Sequence, residues 1–263
     1  MSSAFLDKIV AAKLGRLERQ KLETDISRLR SAAYKRRSTA DGRRLSEALG
    51  RNDRTNIIAE IKRASPSKGL INDTVDVGEL ATKYLEGGAA AISVLTEEDF
   101  FKGSLDDLIA VREAVDLPIL RKDFIVDEFQ VFESAAAGAD AMLLIVAALE
   151  EPQLSELYDL ITDDLEMDAI VEVHTPFELE TAARIGAKII GVNTRNLQTL
   201  DVSLEFSREL IPFRPPGALM IAESGISTID EIDELKSLGY DGFLIGETLM
   251  RTGDAAALLG DWV

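Results

Sequence analysis

The chain has 263 residues, 46% of them hydrophobic and none of them cysteine, enough for a full core and incompatible with disulfides, thiolate catalysis or Cys-based metal sites. Its 47 acidic against 29 basic residues give a net charge of −18, a field that repels nucleic acid and anionic membranes. The N-terminus lacks an apolar run of signal-peptide type and no segment approaches the ~20 residues that span a bilayer, so a cytoplasmic protein without membrane or nucleic-acid partners is expected.

The charge is uneven. Residues 1–50 hold 12 Lys+Arg and 6 Asp+Glu, a net of +6, which leaves −24 on the other 213 residues. Arginines (18) outnumber lysines (11), and acids crowd predicted helix faces such as Asp106-Asp107 and Asp230 to Glu234. That surface suits high salt, where screening removes self-repulsion; an ordinary acidic protein is the alternative. Residues 4–35 carry Phe5, Ile9, Leu14, Leu17, Leu22, Ile26 and Leu29 at helical spacing. The basic stretch 1–50 is therefore expected to be a helical extension covering one end of the acidic body, with Leu45 to Leu49 as a last short helical turn. Lys35-Arg36-Arg37 is too brief a charge run for a nucleic-acid signal and reads as a solvated loop.

From residue 57 a regular alternation begins. Apolar, mostly β-branched runs lie at 57–61, 90–95, 118–121, 140–146, 169–173, 188–192, 218–222 and 242–246. Amphipathic helical patterns separate them, at 76–87, 105–115, 128–137, 153–165, 176–186, 203–211 and 228–238, with a last one from Asp254. Eight strand–helix units without a composition break predict an α/β fold, a single (β/α)8 TIM barrel over residues 51–263. In such a barrel the C-terminal strand ends form the active face. Those ends carry Glu60 and Lys62, Thr96 and Glu97, Lys122 and Asp123, Glu172 and His174, Asn193 and Arg195, Glu223 and Ser224, and finally Gly246. Only the fourth, Leu143-Leu144-Ile145, is apolar. Polar ends on seven of eight strands predict one binding cavity.

Glu60 and Lys62 stand two apart at the end of an apolar strand, hence on one face, and charges there are costly unless used. Lys122, across the predicted cavity from Glu172, is placed to act as a general acid or as a clamp on a developing oxyanion. A lowered pKa would suit a Schiff base instead, and a structural ion pair is the blandest reading. Glu172 is the natural partner base, with Glu60 and Glu223 as further candidates. His174, the single histidine, sits in a Thr-Pro loop and reads as structural more readily than catalytic. Ala222 to Ile226 and Leu244 to Thr248 are turns of small residues, each predicted to open a helix, and they follow strands seven and eight, where this fold holds phosphate. One histidine, no cysteine, and lysines among the carboxylates argue against a metal site; no cofactor is expected.

Together these stretches resemble the indole-3-glycerol phosphate synthase family. The resemblance runs from about residue 56 to 250 and rests on IAEIKRASPSKG (58–69), GAAAISVLTEEDFFKG (88–103), ILRKDFIVDEFQ (119–130), GVNTRNL (191–197), AESGI (222–226) and FLIGETLM (243–250). It implies closure of 1-(2-carboxyphenylamino)-1-deoxyribulose 5-phosphate to indole-3-glycerol phosphate with loss of CO2 and water. It implies Lys122 as general acid, Glu172 in the later proton transfers, Glu60 and Lys62 in orientation and charge stabilisation, and Asn193 and Glu223 in the active-site set. Ser65 and Arg195 would bind substrate; Ser224, Gly225, Gly246 and the Glu247 backbone would hold its phosphate. Glu247-Thr248 replaces a Ser found in some relatives, so a side-chain phosphate contact is not implied there. The partner implied is a small phosphosugar-anthranilate, and a monomer is expected. Two rival readings stand beside this one: another phosphosugar barrel, either an isomerase or a Schiff-base aldolase, and a non-catalytic acidic scaffold.

Overall fold

A computed structural model of the chain describes residues 4–66, 69–195 and 201–263; Ser67 and Lys68 of the first motif and Asn196 and Leu197 of the fourth lie outside the described residues. Three helices come first, α1 (Ala4–Glu23), α2 (Ile26–Arg37) and α3 (Arg44–Leu49). Eight barrel strands follow: β1 (Ile57–Ile61), β2 (Ala91–Leu95), β3 (Ile119–Lys122), β4 (Ala141–Ile145), β5 (Asp168–Val173), β6 (Ile189–Asn193), β7 (Leu219–Glu223) and β8 (Gly242–Ile245), with a separate two-residue pair, Ala64–Ser65 and Gly69–Leu70, in the loop after β1. All neighbours pair in parallel, and β8 returns to β1 through Ile58 beside Leu244, so the sheet closes into the expected barrel. Helices α4 (Val77–Glu86), α5 (Leu105–Ala114), α6 (Glu128–Ala137), α7 (Glu151–Asp159), α8 (Pro176–Arg184), α9 (Glu205–Leu210) and α10 (Ile229–Leu238) join successive strands; α11 (Glu247–Arg251) and α12 (Ala255–Gly260) follow β8. Among the described residues no helix is long and apolar enough to cross a membrane.

Strand alternation sorts the apolar side chains into two cores. Ile57, Ile92, Val94, Ile190 and Val192 point outward against Tyr84, Phe132, Leu154 and Leu235 of the helices. Ile58, Leu120, Ile170, Ile189, Ile221 and Leu244 fill the barrel interior. Five of the seven connecting helices start on side-chain caps, from Asp76, Ser104, Asp127, Thr175 and Thr228. Two of them end on left-handed glycines, Gly138 (φ 99°) and Gly239 (φ 112°), where a Cβ would strain the turn.

The N-terminal segment is helical, as expected, but departs from expectation in its reach. Its helical stretch divides at Asp25, whose carboxylate accepts from the Ser27 N–H at 2.9 Å and starts α2 afresh. It also reaches both ends of the barrel, not one. Helix α1 lies over the loops after β2 and β3, with Leu17 against Val126 and Phe129. Helix α3 plugs the opposite mouth, where buried Leu45 and Leu49 join the interior cluster. A Cβ on Gly242 would stand 2.9 Å from Leu49 Cδ2, so that glycine makes room for the plug. The Asn56 amide donates to the carbonyls of Leu49, Arg51 and Asp241, each at 2.9 Å, and fastens α3 to the barrel floor.

Candidate active site

A cavity of about 690 Å³ opens at the C-terminal strand ends. All twelve residues singled out above line it: Glu60, Lys62, Ser65, Lys122, Glu172, Asn193, Arg195, Glu223, Ser224, Gly225, Gly246 and Glu247. Parallel strands of a closed barrel deliver their ends to one rim, which is why residues up to 187 positions apart meet. Polar groups make the floor, whereas the upper wall is apolar. Phe5, Leu6 and Ile9 come down from α1, Phe101 and Phe124 from the loops after β2 and β3, and Leu143 and Ile145 from β4. The apolar roof was not legible as a site element; its trace in the sequence is the Phe5, Leu6, Ile9 face of a basic helix that had an acidic body to cover.

The floor is a cluster of opposed charges. Lys122 Nζ pairs with Glu172 Oε2 at 3.2 Å and with Glu223 Oε2. Lys62 Nζ lies 2.7 Å from Glu60 Oε1. Burial works against the Lys122 ammonium, but Glu223, Glu172 and Glu60 outweigh it and hold its pKa above the ordinary lysine value. Burial likewise raises both glutamates. In Glu172 the charges of Lys122 and His174 more than offset that, and its pKa falls below the usual range. In Glu223 they do not: burial, with Glu172 adding to it against Lys122, pushes the carboxyl up to about 7. Two carboxylates sharing one ammonium are thereby driven apart, one kept ionised and the other poised near neutrality.

Two glycines seat these carboxylates. Gly191 pairs in register with Glu172 on one side and with Ile221 on the other, and a Cβ on it would overlap Glu223 Oε1. A Cβ on Gly246 would overlap Glu60 Oε1. Gly191 was part of a recognised motif, but its seating role depends on inter-strand register, which the sequence does not display.

His174 does not line the cavity. Its imidazole stands behind Glu172, with Nε2 3.3 Å from Glu172 Oε1 and Nδ1 3.5 Å from Glu178 Oε2. Burial disfavours the imidazolium, yet Glu178, Glu172 and Glu223 together raise its pKa. Asn193 Oδ1 accepts the Arg195 backbone N–H at 3.0 Å, which turns the Asn193 amide toward Glu172, where it supports the ionised form.

The turns predicted to open helices differ from one another. After β8, Gly246 is directly the N-cap of α11. After β7, four residues intervene before the cap of α10, and that helix start is already satisfied: Glu231 accepts from the backbone N–H groups of Ser227 and Thr228, and Thr228 caps Glu231. Any anion at the first turn therefore meets the loop backbone and not a helix terminus. Ser224 (φ 68°) and Gly225 (φ 82°) are both left-handed, a conformation costly for serine. Thr194 holds it in place, its hydroxyl donating to the carbonyls of Glu223 (3.1 Å) and Ser224 (3.0 Å). The Thr248 hydroxyl donates to Ile226 O at 3.1 Å and ties the two turns together. Sequence reading missed Thr194, and it noted Thr248 without this tie.

The second strand end reaches the cavity through Leu95, but its polar residues Thr96 and Glu97 do not line it as expected. Glu97 accepts from the backbone N–H groups of Asp99, Phe100 and Phe101 and shapes its own loop. Thr96 donates to Asp123 Oδ2 at 2.7 Å. Asp123 borders the cavity, but its carboxylate is spent on Arg121 at 3.0 Å and on Lys13 of α1 at 2.9 Å. These charges are structural because the β2–β3 end carries the α1 cover.

Comparison with known proteins adds kinship to this geometry. A family model described as indole-3-glycerol phosphate synthase matches residues 6–260. The chain is 43% identical over 258 residues to the indole-3-glycerol phosphate synthase of Laribacter hongkongensis, covering 98% of each. It is 51% identical over 207 residues to that of Rhodococcus jostii, covering 79% of this chain and 77% of the relative. Among solved structures, 3-hexulose-6-phosphate synthase from Salmonella typhimurium matches with a TM-score of 0.60 at 14% identity, over 78% of this chain and 95% of its own. At that identity the likeness is one of fold alone.

Proposed function

The chain belongs to the indole-3-glycerol phosphate synthase family, and from that premise we propose how its residues divide the work. The activity is that of a carboxy-lyase of tryptophan biosynthesis, which closes 1-(2-carboxyphenylamino)-1-deoxyribulose 5-phosphate to indole-3-glycerol phosphate with loss of CO2 and water. Lys122 is the general acid that protonates the ribulose carbonyl oxygen as the aromatic carbon attacks. A Schiff base at Lys122 would need a neutral amine, which its carboxylate neighbours oppose. Glu172, kept ionised, accepts a proton in the dehydration. Lys62, held by Glu60, faces the substrate carboxylate, while Asn193 and Arg195 hold polar groups. Ser65 contacts the anthranilate ring, and the apolar roof suits that ring. Backbone N–H groups of Ser224, Gly225, Gly246 and Glu247 receive the phosphate.

The observation that supports this reading most is the Lys122 ammonium bracketed by Glu172 and Glu223 on the floor of the cavity. We read the protein as a cytoplasmic monomer whose partner is this small substrate, since a net charge of −18 disfavours nucleic acid and anionic membranes. Indole fluorescence followed with the carboxyphenylamino-deoxyribulose phosphate tests the assignment. Lys122→Ala should lose about a hundredfold or more of the rate while remaining folded. A folded Lys122→Ala protein that still makes indole at the wild-type rate would remove Lys122 from its role.

A further inference from the structure

The reaction consumes a proton that the substrate does not bring. Ring closure bonds the carboxylate-bearing aromatic carbon to the ketone carbon, and the carbonyl oxygen takes one proton. The carboxylate leaves as CO2, and the electron pair of the broken C–C bond neutralises the iminium formed at the aniline nitrogen. Dehydration then adds a second proton to that same oxygen, which departs as water, and removes one proton from the neighbouring methylene. Two protons enter and one leaves. If the methylene proton is returned to the departing hydroxyl through Glu172, the remaining deficit falls on Lys122, which ends the cycle as an amine.

While substrate or product fills the cavity, recharging Lys122 through its mouth is obstructed. The side chains of Lys122, Glu172 and Glu223 are 12%, 4% and 1% exposed, beneath the space the substrate fills and under the α1 roof. Behind Glu172, on the side away from the cavity, another path exists. Lys122 Nζ is 3.2 Å from Glu172 Oε2, and Glu172 Oε1 is 3.3 Å from His174 Nε2. His174 Nδ1 is 3.5 Å from Glu178 Oε2, and the Glu178 side chain, in the first turn of α8, is 16% exposed. Both imidazole nitrogens are buried without an aligned hydrogen-bond partner. They sit at ion-pair distance, a small ring tilt from either carboxylate. Ion-pairing accounts for the inward nitrogen, which helps keep Glu172 ionised; a carboxylate at each nitrogen, one leading outward and one inward, also places the ring to conduct a proton.

We propose that Glu178 and His174 form a proton-entry path that recharges Lys122 through Glu172 after each turnover, independently of the cavity mouth. This rests on Lys122 being the general acid. Glu178 takes a proton from water and passes it to Nδ1 of His174. Nε2 of the ring gives one to Glu172, whose carboxyl group turns it to the Lys122 amine. Every intermediate group is refilled from behind, so the net change is one solvent proton gained by Lys122. The charges facing the ring, Glu178, Glu172 and Glu223, favour its protonated form.

Rapid mixing separates recharging from chemistry. With enzyme in excess over substrate, the first turnover draws on the proton already present on Lys122; with substrate in excess, every later turnover needs a new one. Glu178→Gln retains an acceptor for the His174 backbone N–H, so the loop should keep its shape. In Glu178→Gln the first-turnover rate of indole formation should hold, and in His174→Ala, which also removes a charge that keeps Glu172 ionised, it should fall far less than kcat, while the steady-state kcat of both falls about tenfold or more. Added imidazole should restore kcat in His174→Ala. An unchanged kcat in both variants, a first-turnover rate that falls in step with kcat, or a failure of imidazole to restore kcat would overturn the relay. Lys122→Ala in the same experiment should lose the first turnover itself. If it does not, the acid assignment fails and the relay with it; if it does while both relay variants keep their kcat, the relay alone is wrong.

Discussion

Glu223 shows how position alone sets a side chain's chemistry. It is fully enclosed, it shares Lys122 with Glu172, and its carboxyl titrates near 7 in place of the ordinary 4.5. A carboxyl whose folded pKa is raised favours the native state fully below its unfolded pKa, and that contribution is lost as pH rises through the folded value. Between about pH 4.5 and 7 the wild type should therefore lose stability relative to Glu223→Gln. Urea midpoints of both proteins at pH 5 and pH 8 would show this, and parallel curves would contradict it. Gly191 makes a second residue-scale prediction. Gly191→Ala should displace Glu223 from Lys122, lowering kcat far more than it raises KM and costing about 1–3 kcal/mol of stability through overpacking. A variant with wild-type kcat would show that Glu223 can retreat without loss. Glu60, Lys62, Lys122 and Glu172 were legible because alternation fixes the face of a strand residue from its neighbours alone. Gly191, Thr194 and Thr248 were not, since each acts on a group 22 to 32 positions away that only register and loop conformation bring close.

At the scale of elements, the two ends of the N-terminal segment make opposite predictions. Leu45 is fully buried in the interior cluster at the mouth far from the cavity. Leu45→Ala should cost about 2–5 kcal/mol in stability and leave KM untouched. Lys13 instead fastens α1 to the site end, 2.8 Å from Glu98 and 2.9 Å from Asp123. Lys13→Met should raise KM, because the helix that supplies Phe5, Leu6 and Ile9 to the roof is loosened. Denaturant midpoints beside Michaelis profiles for both variants would separate the two; a raised KM in Leu45→Ala, or an unaltered one in Lys13→Met, would refute the division. The strands and connecting helices were readable from periodicity because each is a local pattern. The break at Asp25 was not, because one helical apolar spacing runs across both helices and the cap outweighs it only by a local carboxylate bond.

The whole molecule carries a net charge of −18, and its response to salt follows from that excess. Its exposed ion pairs, such as Arg184 with Glu151 and Arg208 with Glu205 and Glu234, are each worth about 0–1 kcal/mol and weaken with salt. Self-repulsion among the excess acids also weakens, as the screening length contracts from about 10 Å at 0.1 M to about 3 Å at 1 M. We expect repulsion to be the larger effect, so thermal midpoints should rise steadily from dilute buffer into molar potassium chloride. A flat or falling series would mean that the acids are already balanced locally. Barrel closure itself was legible from eight uninterrupted units, whereas the span of residues 4–49 over both mouths was not. A basic segment before an acidic body announces attraction, but charge does not specify where along that body the segment lands.

That span carries a consequence for assembly in time. Helix α1 rests through Leu17 on Val126 and Phe129 after the third strand, whereas Leu49 of α3 rests beside Gly242 of the last strand. Helix α3, which precedes every strand in the chain, is thus among the last elements to find its place. Until β8 is in place, α3 lacks its seat beside Gly242, and its late arrival seals the far mouth of a barrel that the intervening 190-odd residues have already built.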